Sequence, residues 1–256
     1  MPSSMRINKA LAAAGVCSRR AADELIASGT VLVNGQPAKP GMQVSANDEV
    51  TVDGRAVALP LGQRTTFTYL LCNKPRKYVS TASDPQGRRT ILDLVPAAHA
   101  DTRLYPVGRL DYDSEGLILL TNNGELTHRL THPSHHLPKT YRVSVAGPVS
   151  EKQLQTFRAG MTLAEGDKVA PVGVEIIKGA RNGGDSTLLE MVLIQGLNRQ
   201  IRRMCRDVGL EVKRLVRIGQ GPLKLGSLRP GECRLLRENE TTALLRDSGL
   251  AKPGKD

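Results

Sequence analysis

Apolar positions over the first sixty or so residues recur first at helical and then at strand spacing. Ile7, Leu11 and Ala14 fall on one face of a helix across residues 6–14, and Gly15 supplies its stop. Ser18 is placed to cap a second helix, Arg19 to Ser28, which Gly29 closes. Thr30 to Val33 alternates as a strand, Asn34-Gly35 is a tight-turn pair, and Val44 to Val52 gives a further strand before Asp53-Gly54. Two helices followed by small hairpins predict a compact module of its own.

Leu59 to Thr66, with Pro60, Gly62 and Gln63, reads as a linker. Beyond it the pattern shifts to short apolar runs. Thr68 to Asn73, Leu104 to Leu110, Leu117 to Thr121, Lys139 to Val145 and Ser186 to Ile194 read as strands. Gly124 to Thr131 and Ser150 to Arg158 read as helices, the second capped by Ser150, and Gln195 to Val208 as a loop turning into a helix. Short strands interspersed with a few helices predict an α+β fold with a largely antiparallel sheet. The expected division is a module over residues 1–62, a linker over 63–66, a larger domain over 67–240 and a C-terminal tail over 241–256, frayed over its last ten residues or so.

Composition narrows the partner. Lys and Arg number 36 against 25 Asp and Glu in 256 residues, a net charge of +11, which points to a polyanion. Nucleic acid stands ahead of an anionic membrane, because no stretch approaches the ~20 apolar residues of a spanning helix. The first module carries six basic against five acidic residues, so most of the excess lies beyond residue 62. Cys17, Cys72, Cys205 and Cys233 are widely spaced with no CxxC, which argues against a zinc ribbon or a disulfide framework and for a reduced, cytoplasmic protein. With five Tyr, two Phe and no Trp, stacking on nucleobases must rest on one or two identifiable tyrosines.

The densest chemistry lies at Gly108-Arg109-Leu110-Asp111-Tyr112-Asp113-Ser114-Glu115-Gly116, three carboxylates between two apolar runs. A carboxylate held between core strands must be paired, bound to metal or catalytic. Asp111, Asp113, Glu115 and Gly116 match the start of a calcium-binding loop, but Asn122 stands where its bidentate Glu is needed. A structural turn and a catalytic Asp with a basic partner elsewhere remain open from this stretch alone. His128, His132, His135 and His136 invite a metal reading, which Pro133 and the missing glutamate of a HExxH pattern disfavour. Arg199, Arg202, Arg203 and Arg206 follow helical spacing, so they form one stripe for phosphates, with one arginine at its inner edge able to pair with a buried carboxylate.

Two resemblances organise these candidates. "RINKALAAAGVCSRRAADELIASGTVLVNG" resembles the S4-type (alpha-L) RNA-binding domain. "GRLDYDSEGLILLTNNGEL", "KTYRV" and "QGLNRQIRRMC", with "NKP" before them and "RLVRIGQGPLKLGSLRPGE" after, resemble the RsuA/RluB-type ribosomal RNA pseudouridine synthases. The resemblance covers roughly residues 6–236. It implies isomerisation of a uridine to pseudouridine in ribosomal RNA without cofactor or metal. Asp111 would start the reaction, Tyr141 would stack on the base, and Arg202 would pair with Asp111. Arg6, Lys9, Arg19, Arg20 and Asn34 would face RNA in the first module, and Arg109, Lys139, Arg199, Arg203 and Arg206 in the second. The overall match points to 23S rRNA or a ribosome assembly intermediate as partner, met by a cytoplasmic monomer with no membrane association. The same chemistry on 16S rRNA or a tRNA is the alternative target. A non-catalytic S4-domain ribosome-associated protein and a metal-dependent nuclease using Asp111 and Asp113 are the alternatives of other classes.

Overall fold

The computed structural model describes residues 4–61, 66–132, 137–179 and 186–250. The chain divides into two compact units, residues 1–67 and 68–256.

In the first unit β1 (Met5–Arg6) leads into α1 (Ile7–Ala13), followed by α2 (Arg19–Ala27). Strands β2 (Val31–Val33), β3 (Gln36–Pro37), β4 (Gln43–Val44), β5 (Val50–Val52) and β6 (Arg55–Val57) complete it. The order β3-β2-β5-β6 is antiparallel throughout, and β1 pairs with β4. Ser18 caps α2 by accepting the Ala21 amide at 3.0 Å. Asn34-Gly35 and Asp53-Gly54 each carry two positive φ values, the backbone that a two-residue hairpin demands. Ile7, Leu11, Ile26, Val31, Val33 and Val50 close the core. The strand expected over Val44 to Val52 is two strands, because Asp48 turns the chain by accepting the Ser45 amide at 2.6 Å.

The second unit is built on a nine-stranded mixed sheet. It opens with β7 (Tyr69–Lys74), β8 (Tyr105–Val107), β9 (Glu115–Thr121), α3 (Gly124–Thr131) and β10 (Lys139–Ala146). Next come α4 (Glu151–Ala159), β11 (Met161–Thr162), β12 (Lys168–Val169), β13 (Gly173–Lys178) and β14 (Ser186–Leu193). It ends with α5 (Gln200–Asp207), β15 (Val212–Gln220), β16 (Leu223–Lys224), β17 (Cys233–Leu235) and α6 (Glu238–Asp247). The strand order is β13-β14-β10-β15-β9-β7-β17, with β8 on β9 and β16 on β15. Its neighbours are antiparallel except β15 and β9, which run parallel.

Alternation along β10, β14 and β15 sends Val143, Val145, Leu189, Met191 and Leu215 into one core with Leu154 and Phe157 of α4 and Ile201 and Met204 of α5. Strand β9 is buried along its whole length, since apolar layers cover both its faces. Leu117 and Leu119 pack with Leu126, Leu130 and Leu244 of α3 and α6, whereas Ile118 and Leu120 pack with Ile91, Leu104 and Leu110. Tyr141 touches both the α4–α5 core and the Ile118 layer.

Three expectations are corrected. The strand over Leu104 to Leu110 shrinks to β8, because the chain turns at Gly108 with φ +75°. The tail expected from 241 begins as a helix through Asp247, because Leu244 is buried against α3 and the sheet, and the fraying expected of the last ten or so residues falls largely outside the described residues. The four cysteines are not all reduced: Cys17 and Cys205 form no disulfide, whereas Cys72 and Cys233 are joined by one. These two lie 161 residues apart, and only the pairing of β17 with β7 makes them cross-strand neighbours.

Candidate active site

The turn bearing Asp111 is fastened at every step. Ser114 N–H donates to the Asp111 carbonyl at 3.1 Å, closing a β-turn with Tyr112 and Asp113 at its tip. The Lys77 amide donates to the Tyr112 carbonyl at 2.7 Å, and Ser80 Oγ both donates to the Leu110 carbonyl and accepts its amide. Beneath the turn Lys74, fully buried, donates Nζ to the carbonyls of Ser114 at 2.8 Å and Pro75 at 3.0 Å. Burial pulls the Lys74 ammonium down to about 8, against the opposing fields of Asp111, Asp113 and Glu115. The register that follows needs glycine. Gly116 has φ +108°, and a Cβ there would stand 2.6 Å from the Arg217 amide nitrogen and collide with the Arg217 carbonyl oxygen.

The basic partners come from the other side of the cleft. Arg199 caps α5 in the left-handed conformation, φ 47° and ψ 33°, so it precedes the helix instead of joining a stripe along it. Its guanidinium grips Asp113 at 2.9 and 3.0 Å, and its Nη1 lies 3.9 Å from Asp111 Oδ2. Arg202, more buried, places Nε 3.2 Å from Asp113 Oδ2 and donates Nη2 to the Asp113 carbonyl at 3.1 Å. The expected Arg202–Asp111 pair is therefore corrected: Arg202 pairs with Asp113, because the turn presents Asp113 towards α5. The bond from Arg199 holds the Asp113 carboxyl below the usual range, while burial pulls Arg202 below its own.

Asp111, Lys139, Tyr141, Arg199, Arg217 and Gln220 line one cleft of about 860 Å³. Tyr141 is partly buried on β10 in register with Arg217. Arg217 is 2% exposed, and its Nε donates to the Leu117 carbonyl at 2.7 Å. Burial, with the Arg217 charge adding to it, lowers the Lys139 ammonium. The arrangement is an acidic turn facing a cleft whose wall is positively charged.

Other expected residues are dispersed. Arg203 and Arg206 are engaged by acids: Arg203 by Glu165 at 2.9 Å and Asp167 at 2.6 Å, Arg206 by Glu165 and Asp207, each at 2.7 Å. These pairs tie the β11–β12 turn to α5, so the phosphate-facing stripe is corrected to an ion-pair network. Arg109 is exposed beside the cleft. Arg6, Lys9, Arg19, Arg20 and Asn34 are exposed on the first unit, where Asn34 also bonds Asp48 at 2.8 Å. His128 and His132 have ring centroids 5.2 Å apart, and His135 and His136 lie outside the described residues. Among the described residues no three His, Cys, Asp or Glu side chains are grouped to hold a metal ion.

Lys74, Arg217 and Gln220 were not singled out from the sequence. The lysine carried a weak signal, a cation ending an apolar strand before proline; the other two were hidden in an ordinary alternating strand.

The description "RNA pseudouridylate synthase" belongs to the family model that matches residues 68–207, and an S4 domain model matches residues 5–50. A protein of Aquifex aeolicus named "Uncharacterized RNA pseudouridine synthase" is 41% identical over 249 residues, 96% of each chain. The Bacillus subtilis "Ribosomal large subunit pseudouridine synthase B" is 37% identical over 252 residues, 98% of each chain. A solved structure titled "Crystal structure of pseudouridylate synthase" is 29% identical, covers 94% of this chain and 99% of its own, and superposes with a TM-score of 0.66.

Proposed function

This chain belongs to the RNA pseudouridylate synthase family, and on that premise we propose that it isomerises a uridine of 23S ribosomal RNA, with Asp111 as the initiating carboxylate and no cofactor. The observation that carries this reading is the position of Asp111, at the head of a turn pinned by Lys74, Lys77 and Ser80 and facing a cleft walled by cations and Tyr141. The large-subunit target rests on the Bacillus subtilis relative's name and its match along the whole chain.

The reaction needs no outside reactant. The N1–C1′ bond breaks, a C5–C1′ bond forms, C5 gives up one proton and N1 gains one. Asp111 starts it by attack on C1′, by attack on C6 or by taking the 2′ proton, and each route requires an ionised carboxylate. Arg199 Nη1 stands 3.9 Å from that carboxylate. Tyr141 presents its ring to the flipped base, and a dry pocket keeps the detached uracil beside the sugar.

Residues 1–62 dock the RNA through Arg6, Lys9, Arg19, Arg20 and Asn34, and residues 67–240 carry the chemistry. Arg109, Lys139 and Arg199 meet the substrate strand at the cleft. In this reading the protein works on ribosomal RNA as a cytoplasmic monomer; no helix among the described residues is long and apolar enough to cross a membrane.

The test is a map of pseudouridines in RNA from cells with and without the protein. A 23S site that disappears, and returns with the wild-type chain but not with Asp111→Asn, is the expected result. A lost site in 16S rRNA or a tRNA would overturn the target, and no lost site in any RNA would overturn the activity.

A further inference from the structure

Two polar side chains of β15 are buried in the wall of the cleft with unmet hydrogen-bonding capacity. Arg217 is 2% and Gln220 4% exposed, and both line the cleft with Asp111 and Tyr141. Arg217 Nη2 and Gln220 Oε1 are buried atoms without a hydrogen-bond partner among the described residues. Arg217 also has no carboxylate within 4.0 Å among them. A guanidinium buried with no counter-ion is among the costliest arrangements a fold can hold, and an orphaned amide oxygen beside it adds to the cost. Cations do not relieve it: Lys74 and Lys139 both feel the charge of Arg217 as repulsion.

The fold nonetheless fixes Arg217 in place. Its backbone lies against Gly116 at the parallel β9–β15 pairing, and its Nε is spent on the Leu117 carbonyl. One donor and one acceptor are thus held ready on a single strand.

We propose that Arg217 and Gln220 read the base in the cleft, Arg217 Nη2 donating to a uracil carbonyl oxygen and Gln220 Oε1 accepting the uracil N3–H. This rests on the isomerase reading above. Uracil presents an acceptor next to a donor on that edge; cytosine presents an amino donor next to a ring acceptor, the reverse order. Arg217 has a second effect. When N1–C1′ breaks, the bonding electron pair stays with uracil, spread over N1, O2 and O4. A fixed cation at a carbonyl oxygen stabilises that charge without rearrangement. Phosphates are the less suited anions here, because they stay on the outside of a folded RNA while Arg217 is a buried residue of the cleft wall.

The experiment measures single-turnover loss of the starting nucleoside at saturating RNA on three substrates that differ only at the target: uridine, 3-methyluridine and 5-fluorouridine, the last followed as N1–C1′ cleavage because its C5 carries fluorine and has no proton to give up. Arg217→Met should slow reaction at uridine about 100- to 1,000-fold. Its deficit should be several-fold smaller at 5-fluorouridine, whose more acidic ring needs less help to carry charge. Gln220→Leu should reduce the wild-type preference for uridine over 3-methyluridine at least tenfold, since the methyl group removes the proton that Gln220 accepts. Melting curves check folding, and Arg217→Lys, keeping the charge and losing the fork, serves if the methionine variant is unstable; it should show the same substrate dependence at smaller size. Equal losses on uridine and 5-fluorouridine, with an unchanged 3-methyluridine preference, would overturn the assignment. Wild-type protein inactive on RNA carrying the mapped site would instead overturn the isomerase reading, and this inference with it.

Discussion

Arg199 holds Asp113 through both terminal nitrogens, at 2.9 and 3.0 Å, and reaches Asp111 only at 3.9 Å. The acid that anchors the arginines and the acid proposed to start the chemistry are therefore different residues two positions apart. Asp113 takes the close contacts of Arg199 and Arg202, and Asp111 keeps the longer one to Arg199.

Asp113→Asn should release both arginines and slow the chemical step about 10- to 100-fold, with RNA affinity changed far less. It should also alter the acid side of the stability curve. The folded pKa of Asp113 lies below its unfolded value, so its stabilisation is present above the unfolded pKa and is lost as pH falls through the folded one. Wild-type protein should lose more stability than Asp113→Asn below about pH 4. Urea melts at stepped pH, with single-turnover rates, check both; parallel melts would dismiss the anchoring role.

Lys74 gives the opposite sign in alkali. Its folded pKa of about 8 lies below the ordinary 10.5, so between those values the unfolded chain binds more protons and stability rises with pH. Lys74→Met should abolish that rise. The slope is the readout, because losing the bonds to the Ser114 and Pro75 carbonyls lowers stability at every pH. Equal slopes for wild-type and Lys74→Met from pH 8 to 10.5 would contradict a buried, proton-shedding lysine.

Thiol counting tests the cross-strand bond. Protein purified without reductant and then unfolded should show two titratable thiols, those of Cys17 and Cys205 outside the disulfide, and all four after reduction. Reduction should cost about 2–4 kcal/mol, as a drop in melting temperature. The cytosol keeps most such pairs reduced, so four thiols in protein trapped directly from cells would fit the proposed compartment.

Gly116→Ala should fail to fold or lose more than about 4 kcal/mol, because its Cβ would meet Arg217 backbone on a strand buried on both faces. Gly147, with open space around it, is the control: Gly147→Ala meets only the strain of φ +67°. Equal melting temperatures for the two variants would mean that the parallel register tolerates a side chain.

Much of this protein is written in local sequence. Capping by Ser18 and Ser150, the Asn34-Gly35 and Asp53-Gly54 turns and helix α3 follow from short-range rules, since a cap or a two-residue turn is closed by atoms a few residues away. The Asp111 motif was legible for the same reason: its residues are contiguous. What the tertiary structure decided are the pairings between distant segments. Arg202 bonds Asp113 instead of Asp111, Arg203 and Arg206 bond Glu165, and Cys72 meets Cys233. Strand order and register set these contacts, and helical or strand spacing gives which face a side chain occupies but never what lies opposite. Arg217 and Gln220 show the limit most plainly: a strand's spacing hides which of its polar residues are buried until its neighbours are known, here β9 and β10 beside Arg217 and β10 and β16 beside Gln220.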